Sequence, residues 1–191
     1  MAIDRDRVQR AVLELLEAIG DDPAREGLGG TPRRVADAYA EFFAGVGVDA
    51  GEHLIDQVDV GDDTGELVLL RDIAFRSICE HHLLPFTGIA HLAYIPDEKI
   101  VGLGRLPAVV TTIAARPQIQ ERLTEEIADT LEAGLRPQGV LVVIDAAHGC
   151  VAARGSRQER SSTVTMASRG VLTEPLQRAE IMALIGERSG R

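Results

Sequence analysis

Two segments near the start of the chain carry apolar residues at three- and four-residue spacing, which predicts two amphipathic helices. The first covers residues 8–19 and is ended by Gly20. The second, residues 31–43, opens with a threonine hydroxyl that can cap a helix and a proline suited to the first turn. Residues 45–65 are rich in glycine and aspartate, so we expect a connector there.

After this connector the hydrophobic pattern changes between strand-like alternation and helical spacing. In chain order it predicts strands at 67–79 and 89–95, helices opened by Pro107 and Pro117, strands at 140–144 and 161–171, and a helix at 175–185. This order predicts an α+β fold in which antiparallel strand pairs flank a helical pair. Free strand edges are a liability for a lone subunit, so the layout favours closing the sheet against neighbouring copies.

Length and charge exclude several classes of protein. The chain has 191 residues, with 20 Lys and Arg against 30 Asp and Glu, and a formal net charge of −10. General nucleic-acid binders need a cationic surface, which an acidic chain without a basic block does not provide. The sequence has no apolar run near the roughly 18 residues of a membrane span, and its charged start is unlike a signal peptide. We therefore expect a cytoplasmic globular protein with no nucleic-acid or membrane partner.

Both cysteines lie close to a histidine, and this is the densest chemical signal in the sequence. Cys79 and His82 are separated by two residues, a spacing that lets one turn direct both side chains at one ion. Cys150 follows His148 by two positions at the end of the predicted buried strand. Thiolates and imidazoles suit Zn²⁺. The alternative is that both cysteines are buried core thiols, but their pairing with histidines favours a metal site.

Three protein ligands leave two kinds of zinc site open. Structural sites generally use four protein ligands, whereas catalytic sites keep one position for water. The candidates for a fourth ligand are Glu80, His81, His91 and His148. In an open site, His81 and His148 remain free as acid and base groups near a zinc-activated water.

Motifs spread over the chain carry a family resemblance: Arg25–Leu28, Thr31–Val35, Ser77–Phe86, Ala93–Pro96, Arg116–Thr124 and His148–Gly155. Together they closely resemble the GTP cyclohydrolase I family, in order and over nearly the whole chain. The resemblance implies a tunnelling fold, with a four-stranded antiparallel sheet and a helical pair on one face. It implies an N-terminal helical region and connector at 1–65, a catalytic domain at 66–191, and a homodecamer with active sites between subunits.

The resemblance also implies the reaction and its central residues. The family converts GTP and water to 7,8-dihydroneopterin triphosphate and formate, the first step of tetrahydrofolate and pterin biosynthesis. By matching positions the zinc ligands are Cys79, His82 and Cys150. A zinc-activated water then attacks C8 of the purine while His148 donates a proton as the ring opens. His81 serves nearby proton transfers, including those of the ribose rearrangement.

Substrate contacts follow from the same matching positions. Gln120 and Glu121 correspond to the positions that recognise guanine, where a carboxylate accepts from the N1 and 2-amino hydrogens that adenine does not offer as a pair. Arg34, Arg105 and Arg154 correspond to positions that hold the triphosphate, because a guanidinium fork matches phosphate oxygens.

One stretch departs from the family pattern, which reads Gly-Leu-Ser-Lys, two further residues, then Arg. Residues 102–108 here read Gly-Leu-Gly-Arg-Leu-Pro-Ala. Gly104 therefore removes a hydroxyl, Arg105 keeps a charge and Ala108 removes a cation. Each lost charge-assisted contact costs about 1.5–3 kcal/mol, so we expect a weaker hold on the triphosphate.

Two alternative functions remain open at the level of sequence. Gly104 and Ala108 are compatible with a divergent family member that acts on another purine nucleotide or stops at the ring-opened formamide. A protein of another class, a non-catalytic scaffold stabilised by structural zinc, would also need the cysteines. The related tunnelling-fold nitrile reductases are disfavoured by the zinc triad and the Cys-Glu-His-His element.

Overall fold

The order of helices and strands confirms the α+β class predicted from the sequence. The computed structural model describes residues 3–61, 65–155 and 157–186. Among them, no helix combines the length and apolar character needed to cross a membrane. The helices are α1 (Arg5–Ala18), α2 (Thr31–Phe42), α3 (Arg105–Ala114), α4 (Gln120–Leu135), α5 (Gly149–Ala152) and α6 (Pro175–Gly186), and the strands are β1 (Gln57–Asp59), β2 (Val68–Cys79), β3 (Pro85–Ile95), β4 (Lys99–Val101), β5 (Pro117–Gln118), β6 (Gly139–His148) and β7 (Thr163–Gly170).

The main sheet has the strand order β5-β2-β3-β6-β7. Strands β2, β3, β6 and β7 are antiparallel neighbours, as predicted, and the short β5 adds a parallel edge beside β2. Helices α3 and α4 form the helical pair on one face, where they enclose the main core. Because side chains alternate across a strand, the opposite face holds a second, smaller core under α6.

A short strand replaces the predicted start of the helix at Pro117. Pro117 and Gln118 pair in parallel with the end of β2, and α4 begins only at Gln120. The Gln118 carbonyl accepts from the Glu80 N–H at 3.0 Å, and the Gln118 side chain is fully buried. Pairing with β2 therefore outweighs the helix-start signal of the proline. It brings the beginning of α4 beside the turn that follows Cys79.

Strand β3 begins at Pro85, four residues before the predicted position. Gly88 explains why the apolar alternation is interrupted there, since a Cβ at this residue would lie 2.1 Å from the Asp145 carbonyl oxygen of β6. The two backbones approach too closely for a side chain. The strand continues past the glycine, which extends the β3–β6 pairing to Phe86 and His148.

Part of the predicted connector is built into the main core. Residues Ala50–Leu54 form a 3-10 helix whose first and last side chains are buried in that core. Strand β1 follows and pairs antiparallel with β4. Helix α1, in contrast, contains no buried residue and packs against α2. Helix α1 therefore contributes no buried side chain to the core around the sheet.

Candidate metal centre and adjoining cavity

The first half of the site is the tight turn between β2 and β3. The Cys79 N–H donates to the Leu84 carbonyl at 2.8 Å, and the Leu83 N–H donates to the Cys79 carbonyl at 2.8 Å. Leu83 has a left-handed φ of 52°, which reverses the direction of the chain. As a result, the side chain of His82 is brought close to the thiol of Cys79.

The second half of the site is the junction of β6 with α5. The register of β3 and β6 places His148 opposite Phe86, next to the turn. Gly149 then opens α5 so close to β3 that a Cβ would lie 2.7 Å from the Pro85 carbonyl oxygen. This close approach brings Cys150 to the turn, although it is distant from that turn in sequence.

The three predicted metal ligands come together. One ligand atom from each of Cys79, His82 and Cys150 lies within 4.8 Å of the other two. Burial, followed by repulsion from the neighbouring Cys79 thiol, raises the pKa of Cys150. Two such thiols are held as thiolates only if a cation offsets that cost. Two sulfurs and one imidazole nitrogen at this spacing fit a tetrahedral Zn²⁺ ion.

Each candidate for a fourth protein ligand either bonds another residue or lines the adjoining cavity. Glu80 forms an ion pair with an arginine of α4. His91 is buried in β3, where its Nδ1 accepts a backbone N–H. His148 bonds a glutamine side chain, and His81 lines the adjoining cavity. Among the described residues, the metal group thus has three protein ligands, the arrangement of zinc sites that keep one position open.

Gln120 holds His148 in one orientation. Its Nε2 donates to the carbonyls of Ile144 at 3.1 Å and Thr163 at 2.7 Å. Because a carbonyl oxygen can only accept, these bonds determine which end of the amide is Oε1. Oε1 lies 2.7 Å from Nε2 of His148, so it accepts the proton on that nitrogen. In the neutral ring, Nδ1 is then the unprotonated nitrogen.

Two neighbours set the charge of His148. Its ring stacks on Phe86 with centroids 4.8 Å apart and an interplanar angle of 6°. Burial lowers the pKa of His148, and the Glu121 carboxylate opposes this effect by favouring the charged ring. The apolar stack therefore favours a neutral imidazole, while Glu121 keeps protonation accessible.

A cavity of about 200 Å³ adjoins the metal group. Both halves of the site and the start of α4 line it, and its polar or titratable residues include Cys79, His81, Gln120, Glu121, His148 and Cys150. Ligand pockets are typically about 300–1,000 Å³. The space within one protomer therefore suits an aromatic base, whereas a triphosphate has to extend beyond it.

The arginines predicted to bind phosphate are not among the residues that line this cavity. Arg34 lies on the first turn of α2, where it donates to the Thr31 hydroxyl at 3.0 Å. Arg105 begins α3 and forms an ion pair with Asp56 at 2.9 Å. Arg154 is exposed just beyond α5. The chain thus brings together the metal group, the histidines and Glu121, whereas the three arginines lie outside the cavity lining, with Arg154 near enough to lower the pKa of Cys150 through its charge, against the larger raising effect of burial.

A comparison with protein families assigns the chain to a family. The family model described as GTP cyclohydrolase I matches residues 8–186 of the chain. The chain belongs to the GTP cyclohydrolase I family. Membership confirms the resemblance carried by the sequence motifs, together with its tunnelling fold and its zinc dependence.

Relatives named GTP cyclohydrolase 1 align with nearly the whole chain. The protein from Leifsonia xyli subsp. xyli is 61% identical over 183 residues, 96% of each chain. Its counterpart from Carboxydothermus hydrogenoformans is 51% identical over 98% of this chain and 97% of its own. The Rhodopirellula baltica protein is 50% identical over 96% of this chain and 80% of its own. A solved structure of archaeosine synthase QueF-Like in the apo form is 17% identical, with a TM-score of 0.45 over 55% of this chain and 93% of that one.

The residues that depart from the GTP cyclohydrolase I pattern lie at the start of α3. Gly104 is the N-cap residue and makes no side-chain capping bond. A Cβ built on Gly104 meets nothing within 4 Å, so a serine fits there. Ala108 is half-buried on the first turns of α3, on the same side as Arg105 three positions earlier. The structure therefore has room for the family serine at position 104, and the helical backbone at position 108 is compatible with arginine.

Restoring the two family residues is expected to tighten phosphate binding. In a Gly104→Ser/Ala108→Arg variant, KM for GTP should fall about tenfold to a hundredfold, because one hydroxyl and one cation are regained. The matched control, Ala133→Arg, places the same side chain at an exposed position of α4 that does not line the cavity. Steady-state kinetics with GTP measure KM for the parent, the double variant and the control. Equal KM values in the double variant and the parent would show that the phosphates are held by other residues.

Two features around His148 were not predicted from the sequence. Phe86 belongs to a family motif but carried no assigned role, and only the structure reveals the stacked rings. Thr165 bonds both Gln120, at 3.1 Å, and Thr124, at 2.6 Å. Since these residues come from β7 and α4, no sequence spacing links them.

Proposed function

We propose that this chain is a zinc-dependent cyclohydrolase that converts GTP and water to 7,8-dihydroneopterin triphosphate and formate, the first step of tetrahydrofolate and pterin biosynthesis. The observation that carries the proposal is the cavity beside the Cys79, His82 and Cys150 group, which also receives two histidines and a carboxylate. Relatives across its length are named GTP cyclohydrolase 1. A scaffold with structural zinc would need neither an open ligand position nor free histidines beside it.

We infer that Cys79, His82 and Cys150 hold the zinc ion. When bound, Zn²⁺ supplies a Lewis acid that makes water nucleophilic near neutral pH. The chain's own contribution is geometric, because the turn after β2 and the junction of β6 with α5 hold the three ligands together without a fourth.

Glu121 is the proposed guanine-recognising residue. It lies on the first turn of α4 and lines the cavity. A carboxylate there can accept from both the N1 and the 2-amino hydrogens of guanine, and adenine lacks this pair of donors. Gln120 was predicted to share this role, but both ends of its buried amide bond other residues. We therefore assign Gln120 to holding His148.

His148 and His81 are the proposed proton-transfer groups. With Nε2 of His148 bonded to Gln120, proton donation to the purine nitrogen falls to Nδ1 after the ring gains a second proton. Glu121 favours that charged state. His81 lines the cavity from the metal-binding turn, so it can serve the later proton transfers of the ribose rearrangement.

The triphosphate site is proposed to form between subunits of a homodecamer. Arg34 and Arg105 do not line the cavity of their own protomer, and Arg154 lies just outside it. A neighbouring copy could supply cations that a single protomer does not bring to the cavity. Residues 66–191 would then be the catalytic domain, with residues 1–65 as an extension.

The thiols of Cys79 and Cys150 form no disulfide, which supports a reducing, cytoplasmic location for this zinc site.

The function is tested by incubating zinc-loaded protein with GTP and identifying the products by mass spectrometry. Formate and dihydroneopterin triphosphate in equal amounts are expected. Accumulation of the ring-opened formamide would point to the divergent reaction. An absence of any product from GTP would overturn the proposed function.

A further inference from the structure

Glu80 lies inside the metal-binding turn, but its side chain is directed toward α4. Its carboxylate forms a direct ion pair with the guanidinium of Arg122. Its backbone N–H donates to the Gln118 carbonyl at 3.0 Å. Both the side chain and the main chain of this residue are thus bound to the segment that begins α4.

Arg122 is itself held in place by a buried glutamine. Its Nε donates to Oε1 of Gln118 at 3.0 Å, and Nε2 of Gln118 donates to Glu126 at 2.8 Å. Gln118 is fully buried. Arg122 and Glu126 are also one turn apart on α4, with Nε and Oε1 separated by 3.5 Å. The guanidinium therefore contacts Gln118 of β5 and Glu126 of its own helix as well as Glu80.

This network joins the two walls of the cavity. The turn supplies Cys79 and His81, whereas the start of α4 supplies Gln120 and Glu121. The link between the walls runs through Glu80 and Arg122, which adjoin these residues in sequence. Movement of the turn away from α4 would break the ion pair and change the distance from the metal ligands to the guanine-recognising carboxylate.

We propose that Arg122 is a positioning residue, which acts through Glu80 to hold the metal-binding turn, residues 79–84, against α4. This inference rests on the proposed function for its catalytic meaning, but its test does not depend on turnover. Partners that orient metal ligands typically contribute about 10–100-fold to metal affinity or activity. The ion pair is partly exposed, with 42% of the Arg122 side chain and 34% of the Glu80 side chain accessible. Since exposed ion pairs add little stability, we expect it to affect zinc binding by fixing the position of the turn and not by its attraction energy.

The experiment measures zinc affinity by chelator competition in Glu80→Gln, Arg122→Met and the corresponding double variant. Both single variants should bind zinc about 10–100-fold more weakly. The double variant should be no weaker than either single variant, because the two residues act as one unit. Arg122→Lys keeps the charge but loses the fork to Gln118, so it should fall between Arg122→Met and the parent.

A second readout and a matched control separate positioning from ligation and from general loss of stability. Cobalt(II)-substituted Arg122→Met should show an altered visible spectrum, because the turn then no longer holds its metal ligands in the parent geometry. The control, Glu125→Gln, removes an α4 ion pair to Arg169 outside the cavity and should leave zinc affinity unchanged.

Weak zinc binding in Glu80→Gln with normal binding in Arg122→Met would identify Glu80 as a ligand and overturn the proposal. So would unchanged affinity in both, or additive losses in the double variant. Turnover of GTP by the parent protein tests the proposed function separately.

Discussion

Replacing Cys150 with Ala is expected to abolish zinc binding and turnover together. Cys150 supplies one of two thiols in a three-residue donor group, and among the described residues no other side chain stands ready to replace it. Residues that merely orient ligands contribute about 10–100-fold to metal affinity, so loss of a direct ligand should exceed about a hundredfold. The zinc content of the purified variant, measured by elemental analysis, should be close to zero, and GTP should remain unchanged.

The reference for Cys150→Ala is the parent protein stripped of zinc by a chelator. Both should be inactive and equally folded by circular dichroism, because Cys150 is only half-buried at the start of a short helix. Adding zinc back should restore turnover to the stripped parent alone. A variant that keeps stoichiometric zinc would show that the ion is held by other residues.

Replacing His148 with Ala should separate metal binding from chemistry. The imidazole bonds Gln120 rather than the metal group, so zinc content is expected to stay at the parent level. Loss of a positioned general acid typically lowers kcat by about 10²–10⁴-fold. Single-turnover mass spectrometry with GTP should therefore show ring opening reduced to that extent in a fully metallated protein.

Stability needs its own measurement in His148→Ala. The variant removes a stacked ring and leaves Oε1 of the buried Gln120 without its partner, which costs about 1–3 kcal/mol. Chemical denaturation quantifies this cost and shows that the protein is folded under assay conditions. His53→Ala is the matched control, since His53 bonds Thr112 and does not line the cavity. Normal turnover in His148→Ala would assign the proton donation to another group, and zinc loss would make His148 part of the metal site.

The paired Cys and His elements illustrate how far local sequence reaches. Cys79 and His82 share one turn, so their spacing alone predicts that they can approach one ion. Cys150 carries no such local relation to them. Its position beside them depends on the register of β3 and β6 and on the absence of a Cβ at Gly149, which allows α5 to lie against β3.

The contacts of Gln120 and the strand position of Pro117 could not be predicted from the sequence. The guanine contact of Gln120 that the family position implies stays a prediction. What the sequence does not reveal is that its side-chain amide bonds a carbonyl on β6, a carbonyl on β7 and a histidine. Pro117 is a regular helix-start signal, but pairing with the end of β2 makes it a strand residue. At Pro117, contacts between distant segments outweigh the local preference.

By itself the sequence determined the α+β class, zinc as the expected ion and the family, because periodicity, donor chemistry and motifs are properties of neighbouring residues. Only the tertiary structure decided that the donor group has three members, that Gln120 orients His148, and that Glu80 is bound by Arg122. These are properties of atoms brought together by strand register and helix packing, which set distances between residues far apart in the chain. Neither the sequence nor the packing of one chain places the arginines that are predicted to bind phosphate in the cavity lining, so their role stays a prediction.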